Sequence, residues 1–282
     1  MAEITAAAVK SLRDRTGAGM MDCKKALQEA GGDEESAIDL LRQRGAAKAA
    51  KRAAKTASEG TVCIAERDGT VSMVEVLTET DFVARSDAFE AFAKSVAEAL
   101  FDLPVTDGEV MTGDALFATD GGDALEKALD ELRVKVGENV QVGRAVRYDV
   151  GDAGVVGSYL HFGNRIGVMV EVAGAGDAGV ETARGIAMHA AATNPAGLSP
   201  EDIPAEIIER ERAVLIEQAK ETGKPAEIAE KMVEGRMRKF FEENALLWQT
   251  FVRDPDLKIR DLVADAGDDA TVRRFVRFEV GG

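Results

Sequence analysis

Val74-Glu75-Val76 recurs 96 positions further on as Val170-Glu171-Val172, and this repetition decides the fold. The first copy lies in a run whose side chains alternate in polarity, which is typical of a β-strand. A second match, at an offset of 130, relates residues 142–150 to residues 272–280. The sequence therefore predicts two similar subdomains, each consisting of two strands, a helix, further helical residues and a final strand.

The second copy is longer than the first by 34 residues, which is the difference between the two offsets. Residues 199–239 account for this surplus as two charged helices joined by the turn Thr222-Gly223-Lys224-Pro225. Ser199 is the predicted cap of the first helix, with Pro200 in its first turn. The narrow apolar seam of this hairpin needs covering, either by its own two helices or by a partner or second copy.

Glu79-Thr80-Asp81-Phe82-Val83-Ala84-Arg85 forms the corner between a predicted strand and a helix predicted at residues 87–100. Two interpretations are open: Asp81 caps the helix and Phe82 fills the core, or both side chains face a partner. The second copy builds the same corner as Gly176-Asp177-Ala178-Gly179, without an aromatic ring. The fold therefore does not require Phe82, which favours an exposed, functional side chain.

Residues 3 to about 53 predict three helices that share a small core. Thr5 is the predicted cap of the first helix and Asp33 that of the third, which we expect to end at Arg44, before a solvated helical linker. The loop Gly17-Ala18-Gly19 is not a phosphate-binding loop, because no strand precedes it and no Lys-Ser/Thr pair follows it. It predicts a turn between helices that approach closely.

The formal charge is −16, and it is unevenly distributed. Residues 1–58 carry 11 basic and 8 acidic side chains, whereas the remainder carries 24 and 43. This acidity disfavours nucleic acid and anionic membranes as main partners. Cys23 and Cys63 predict free thiols in a reducing compartment, and neither a signal peptide nor a membrane-spanning run is recognisable. We therefore expect a soluble, cytoplasmic protein.

The sequence marks no catalytic or metal-binding site. The only histidines are His161 and His189, and neither has metal-ligand spacing with a cysteine. His161 is expected to be exposed at a hairpin tip, and His189 to pack within a helix. No nucleophile or dinucleotide motif is present, so we expect no catalysis by side chains, no cofactor and no bound metal.

Several stretches resemble the bacterial translation elongation factor Ts family, in order along nearly the whole chain. The most specific are Arg15-Thr16-Gly17-Ala18-Gly19-Met20-Met21-Asp22-Cys23-Lys24-Lys25-Ala26-Leu27 and Thr80-Asp81-Phe82-Val83-Ala84-Arg85. The others are residues 4–5, 12–13, 136–139, 189–191, 231–236 and 277–280.

The resemblance implies an α+β fold and a function without chemical catalysis. The expected function is guanine-nucleotide exchange on the GTPase elongation factor Tu during translation. The implied domains are a ubiquitin-associated-like three-helix domain, two similar α+β core subdomains with antiparallel sheets, and an inserted coiled-coil hairpin. Their expected bounds are 1–53 for the helical domain, 54–150 for the first subdomain, 151–198 with 240–282 for the second, and 199–239 for the hairpin.

The resemblance also implies the site. In the family, the segment equivalent to Thr80, Asp81, Phe82 and Val83 displaces the partner's Mg²⁺. The helical domain is expected to contact the partner's nucleotide domain, and the segment around His161 a different partner domain. The further partner contacts implied are Leu12, Arg13, Thr16, Gly17, Ala18, Gly19, Met20, Met21, Val136, Gly137 and His161.

The sequence departs from the family pattern at two places. Longer members continue past the last strand into a C-terminal helical module, whereas this sequence ends at Gly282, so we expect the contacts of that module to be absent or replaced. The loop at 148–155 is longer than usual.

Two rival functions remain open on the sequence alone: a passive chaperone-like or adaptor module, and an acidic metabolic enzyme with an unmarked site. Pairing of two copies through the hairpin also stays open.

Overall fold

The computed structural model describes residues 4–52, 56–150, 154–176 and 179–282, without the side chains of residues 45–52. The chain divides into two compact units. Unit 1 comprises Met1–Asp149, Phe162–Ile166 and Phe278–Gly282, and unit 2 comprises Val150–His161 and Gly167–Arg277. The two units together contain helices and antiparallel sheets, so the predicted α+β class is confirmed. The predicted four-part domain division stays a prediction.

Unit 1 begins with the helices α1 (Ala6–Thr16), α2 (Met20–Glu29) and α3 (Glu34–Arg52). Both predicted caps are confirmed. The Thr5 hydroxyl accepts the N–H of Ala8 at 3.1 Å, and the Asp33 carboxylate accepts that of Ser36 at 2.8 Å. The shared core of the three helices consists of Val9, Leu12, Ala18, Cys23, Ala26, Leu27, Ala37 and Leu41.

The third helix is longer than the sequence analysis predicted. We expected it to end at Arg44, before a solvated helical linker at residues 46–57. The linker is helical up to Arg52, but it continues α3 without a break, and its predicted solvation lies outside the described side chains. Four alanines and two lysines lie between Arg44 and Arg52, and both residue types have high helix propensity, so the single Gly45 does not interrupt the helix.

The sheet of unit 1 has the order β1-β2-β4-β3, with antiparallel neighbours throughout. Its strands are β1 (Glu59–Arg67), β2 (Thr70–Thr78), β3 (Met111–Thr112) and β4 (Gln141–Asp149). The helices of this part are α4 (Asp81–Ala84), α5 (Asp87–Ala99), α6 (Gly113–Phe117) and α7 (Asp123–Val136). Phe89, Val96 and Leu129 of α5 and α7 are buried with sheet residues in one apolar core.

Unit 2 repeats this plan with the sheet order β5-β6-β7. The strands are β5 (Gly154–Leu160), β6 (Ile166–Ala173) and β7 (Thr271–Glu279), and β5 pairs antiparallel with β6. The helices are α8 (Gly179–Thr193), α9 (Ala205–Glu221), α10 (Ala226–Asn244) and α11 (Ile259–Ala264). The helix α8 packs on the sheet through its buried small and apolar side chains.

A buried carboxylate paired with arginine occurs at the same place in each copy of the repeat. Glu75 is buried on β2 and accepts two hydrogen bonds from Arg144, at 2.9 and 3.1 Å. Glu171 is buried on β6, 96 positions later, and accepts one from Arg274 at 2.6 Å, 130 positions after Arg144. Both offsets found in the sequence therefore hold in the structure.

The helical hairpin of unit 2 starts later than predicted. Ser199 and Asp202 form a capping box around a single 3-10 turn, Pro200–Asp202, instead of starting the long helix. The next residue, Ile203, is buried. Its backbone is extended, because Pro204 follows and a residue before proline is disfavoured in helical conformation. The first hairpin helix, α9, therefore begins only at Ala205, and α10 ends at Asn244 rather than at residue 239.

The two hairpin helices cover their own apolar seam. Leu215 and Ala219 of α9 are buried against Val233 and Met237 of α10. This result favours the self-packing alternative for the seam. Four apolar side chains remain exposed outside it, namely Ile207, Val214, Ile216 and Ile228.

His189 is fully buried in α8, as predicted. Its Nε2 lies 2.8 Å from Oε1 of Gln249, and its Nδ1 accepts the backbone N–H of Val252 at 3.2 Å. Because Nδ1 accepts and Nε2 donates, this geometry suits the neutral imidazole. Burial lowers the pKa of His189, which acts in the same direction.

Candidate functional site

The corner between β2 and α5 presents the Phe82 ring to solvent. The one-turn helix α4 starts at Asp81, and Thr80 is its N-cap, with its hydroxyl accepting the N–H of Val83 at 3.4 Å. The side chain of Phe82 is 84% exposed. The core interpretation of Phe82 is therefore wrong. The interpretation of Asp81 as the cap is also wrong, because Ser86 caps the predicted helix, α5, and Thr80 caps α4.

Glu138 holds this corner from the other side of unit 1. Its carboxylate accepts hydrogen bonds from the Thr78 hydroxyl at 3.0 Å, the Thr80 N–H at 3.0 Å and the Thr80 hydroxyl at 2.7 Å. A reciprocal bond runs from the N–H of Asn139 to the Glu79 carboxylate at 2.8 Å. The segments 78–80 and 138–139 are thus joined by four hydrogen bonds.

The acidic side chain of the corner is only loosely paired. Asp81 lies 3.6 Å from Arg85, one helical turn later, and both side chains are more than half exposed. A surface pair of this kind contributes about 0.3–0.5 kcal/mol and does not fix either side chain. Asp81 is therefore free to meet a cation or an anionic group of a partner.

The first inter-helical loop combines buried and exposed side chains. Leu12 and Ala18, both predicted partner contacts, lie in the core of the three helices. Met20 and Met21 are exposed, at 48% and 63% of their surfaces. Of the other predicted contacts in this loop, Arg13, Gly17 and Gly19 are exposed and Thr16 is half-buried.

The end of α7 contacts both this loop and the Phe82 corner. Gly17 has a φ of 67°, and a Cβ atom there would lie 3.0 Å from Cγ of Lys135. Three residues later Glu138 binds the corner, as described above. Gly137 ends α7 with a φ of 74°, a conformation that favours glycine, and its N–H donates to the Arg133 carbonyl. The predicted contacts Val136, half-buried, and Gly137, exposed, lie between the two.

The turn after β5 presents a second exposed aromatic ring. His161, in unit 2, is exposed and its Nδ1 lies 3.2 Å from the hydroxyl of Tyr159. Phe162, in unit 1, is 98% exposed. Within unit 1 the turn is fixed by two backbone hydrogen bonds, from the N–H of Val62 to the Asn164 carbonyl at 2.6 Å and from that of Val280 to the Arg165 carbonyl at 2.9 Å.

Two residues of this region, Glu138 and Phe162, are not among the predicted site residues. Glu138 was recognised only as part of a family-like stretch, and its role depends on partners 58 and 60 residues away in sequence. Phe162 has a recognisable signal, a large ring beside Gly163-Asn164 at a predicted turn.

Among the residues that the structure describes, no group of three His, Cys, Asp or Glu side chains is placed to hold a metal ion. None of the helices within the same residues has the length and apolarity needed to span a bilayer.

Comparison with known proteins gives one consistent family. The family model described as "Elongation factor TS" matches residues 79–282. Proteins named "Elongation factor Ts" are similar to nearly the whole chain. The protein from Alkalilimnicola ehrlichii is 48% identical over 99% of this chain and 92% of its own length. The protein from Idiomarina loihiensis is 48% identical over 99% of this chain and 91% of its own length. The protein from Thioalkalivibrio sulfidiphilus is 50% identical over 99% of this chain and 92% of its own length.

Proposed function

The chain belongs to the elongation factor Ts family, whose members promote nucleotide exchange on elongation factor Tu in translation, and we propose that its Phe82 corner drives that exchange. Thr80, Asp81, Phe82 and Val83 would enter the GTPase beside its magnesium site. The observation that carries this proposal is the 84% exposure of the Phe82 ring. Single exposed apolar side chains are common on protein surfaces, but the second copy has Ala178 at the equivalent position, so the fold does not require a ring there.

Folding leaves the burial free energy of the Phe82 ring unused. Moving an apolar ring from water into a protein interior contributes about 1.5–3 kcal/mol. In the folded chain this gain is not realised at Phe82, so it remains available for binding the GTPase. A change of about 1.4 kcal/mol alters a rate or an affinity tenfold. One ring buried only in the nucleotide-free complex can therefore accelerate release by about ten- to a hundredfold.

The target within the GTPase is its Mg²⁺, which neutralises the charge on the phosphates of GDP. As Phe82 inserts, it would displace the elements that carry the metal ligands. Asp81 would add negative charge near the diphosphate or compete for the metal's coordination shell. Its weak pairing with Arg85, at 3.6 Å on the surface, leaves it available for this role. Exchange then follows from differential affinity: the factor binds the empty GTPase tightly and the nucleotide-bound one weakly.

The ubiquitin-associated-like helical domain would bind the partner's nucleotide domain through the loop between α1 and α2. Arg13, Gly17, Gly19, Met20 and Met21 are exposed and would make this contact directly. Leu12 and Ala18 are buried, so they would support the loop rather than touch the partner. We assign the same supporting role to Thr16, whose hydroxyl donates to the Leu12 carbonyl at 2.7 Å and accepts the Ala18 N–H.

The turn around His161 would reach a second domain of the partner, with Phe162 as an additional apolar contact.

The hairpin of α9 and α10 would act as a coiled-coil arm. Its exposed side chains Ile207, Val214 and Ile228 offer an apolar strip for the partner or for a second copy. Sedimentation of the protein alone distinguishes these two uses, because pairing of copies would double the mass in a concentration-dependent way. The net charge of −16 supports a protein partner rather than nucleic acid.

The decisive experiment measures the release of labelled GDP from elongation factor Tu, with and without this protein. We expect acceleration by the wild-type chain, and little acceleration by Phe82→Ala, which should still fold and bind. If the wild-type chain binds the GTPase without accelerating release, the passive adaptor function is supported instead. If Phe82→Ala accelerates release as well as wild type, the proposed role of the ring is wrong.

A further inference from the structure

We propose that Glu138 is a positioning residue for nucleotide exchange: it holds the corner that carries Phe82 in the geometry that enters the partner. This inference rests on the proposed function of Phe82. Glu138 itself is half-buried behind the corner, and its carboxylate already accepts three hydrogen bonds from Thr78 and Thr80. It therefore acts through these residues rather than on the partner's metal.

The hydrogen bonds form a continuous path from Glu138 to the helix that carries the ring. Glu138 accepts from the Thr80 hydroxyl at 2.7 Å, and the same hydroxyl accepts the N–H of Val83. The Thr80 hydroxyl is thereby oriented as the N-cap of α4. Because the hydroxyl proton is donated to the carboxylate, an oxygen lone pair is directed to the helix N-terminus.

The helix α4 needs such an external restraint. It consists of four residues, Asp81–Ala84, and none of them is buried. Forming a single helical turn is unfavourable without other contacts, because three residues are ordered for one hydrogen bond. The Phe82 side chain, which in other corners would anchor the turn in a core, points to water here. Val83 and Ala84 are half-buried and pack against the core of unit 1, so the polar contacts of Thr80 are what restrain the N-terminal end of the turn, next to the ring.

The second copy of the repeat indicates that these contacts are not required by the fold. The positions equivalent to Thr78 and Thr80, at the offset of 96, are Gly174 and Gly176, which carry no hydroxyl group. The position equivalent to Glu138, at the offset of 130, is Asp268, which is exposed. The sequence of the second copy therefore provides no equivalent of the Glu138 contacts, which accompany the copy that carries the exposed ring.

The test compares Glu138→Ala with Glu138→Gln in the full-length chain. Glutamine keeps one acceptor oxygen for the Thr78 hydroxyl and the Thr80 N–H, and its amide group can donate to the Thr80 hydroxyl oxygen. We expect Glu138→Ala to slow GDP release at saturating factor by about tenfold, and Glu138→Gln to stay within about threefold of wild type. In Glu138→Ala the affinity for nucleotide-free elongation factor Tu should fall by no more than the same factor, and the melting temperature should fall by only a few degrees, because the buried Thr78 hydroxyl loses its acceptor. Glu138→Gln should stay close to wild type in both. Asp268→Ala is the matched control and should release GDP at the wild-type rate.

A double variant separates positioning from a general structural role. If Glu138 acts only through the ring, Phe82→Ala with Glu138→Ala should be no slower than Phe82→Ala alone. Fully additive effects, or a Glu138→Gln variant as slow as Glu138→Ala, would overturn the proposal. So would a Glu138→Ala variant that melts at a much lower temperature and is slow only for that reason.

If Phe82→Ala itself has no effect on GDP release, it is the proposed function that fails, not the role of Glu138 in ordering the corner. Hydrogen exchange at the Val83 amide measures that ordering directly, and unchanged exchange in Glu138→Ala would overturn it.

Discussion

The two copies of the repeat keep the same ion pair on a buried glutamate but differ in sequence at the corner after that strand. Glu75 with Arg144 and Glu171 with Arg274 occupy matching positions on the central strands. At the corner after that strand, by contrast, one copy has Thr80 and the exposed Phe82, and the other has glycine in place of Thr80. Features that both copies share maintain the fold, and the feature that only one copy has is where we propose that the function lies.

The largest expected effect concerns the shared ion pair. Replacing Glu171 by alanine removes the buried carboxylate that binds Arg273 and Arg274 and should reduce the free energy of unfolding by up to about 3 kcal/mol, because both arginines keep some contact with water. The only tryptophan, Trp248, lies in unit 2, so its fluorescence during urea unfolding reports on that unit. We expect Glu171→Ala to shift this transition to lower urea concentration. The exposed Glu230 provides the control, since Glu230→Ala should change stability by less than about 0.5 kcal/mol.

The same substitution in the first copy sharpens the comparison. Glu75→Ala should destabilise unit 1 by a similar amount, because Glu75 is 3% exposed and binds Arg144 through both carboxylate oxygens. The circular dichroism signal of the whole chain should show this loss, with a smaller shift in Trp248 fluorescence than Glu171→Ala produces. Equal shifts of the fluorescence transition would mean that the two units unfold as one.

The second prediction concerns the corner that the copies do not share. Phe82→Ala should lower the stimulated rate of GDP release by about ten- to a hundredfold, which corresponds to about 1.5–3 kcal/mol of lost burial in the complex. The melting temperature should stay within error, because the ring is 84% exposed in the free protein. If Phe82→Ala instead clearly lowered the melting temperature and left GDP release unchanged, Phe82 would serve the fold, and its proposed role in exchange would be wrong.

The third prediction uses a titratable group that only unit 2 contains. The position equivalent to His189 in unit 1 is Ala93, which is also buried. Burial lowers the pKa of His189, so the unfolded chain binds a proton at a higher pH than the folded one. Stability of unit 2 should therefore fall as the pH drops below about 6.5, by at most about 1.4 kcal/mol per pH unit for this one group.

The two histidines supply the control for this pH dependence. His189→Gln should reduce the slope of the Trp248 unfolding transition against pH, whereas His161→Gln should preserve it, because His161 is exposed. An unchanged slope in His189→Gln would assign the acid sensitivity to other groups.

The smallest expected effect is that of Phe162→Ala. The ring is 98% exposed and contributes nothing to the core, so folding should be unaffected. Binding to nucleotide-free elongation factor Tu should weaken by about three- to tenfold if the ring is partly buried in the complex. Titration calorimetry measures this change, and an unaltered dissociation constant would show that the partner does not cover the turn.

The sequence predicted the parts of the structure that depend on local signals or on the repeat. The caps Thr5 and Asp33, the buried helix face around His189 and the equivalence of β2 with β6 are of this kind. The start of α9 also has a local signal, since Pro204 disfavours helix at Ile203, and Ser199 caps only the short turn before it.

Contacts between distant segments were not predictable in the same way. The four bonds that join residues 78–80 to residues 138–139 depend on how α7 ends beside β2, which no single stretch determines. The cap at the corner illustrates the same limit, because Thr80 and Asp81 are both good capping residues and only the backbone conformation distinguishes them.

The position of two caps close together in the chain has a kinetic consequence. Thr80 caps α4 and Ser86 caps α5, so hydrogen bonds direct the backbone on both sides of Phe82 before any partner arrives. A surface that is already ordered loses little entropy on docking and needs no rearrangement step. Association with the GTPase should accordingly be limited by diffusional encounter, and variants that loosen either cap should slow the on-rate before they change the off-rate.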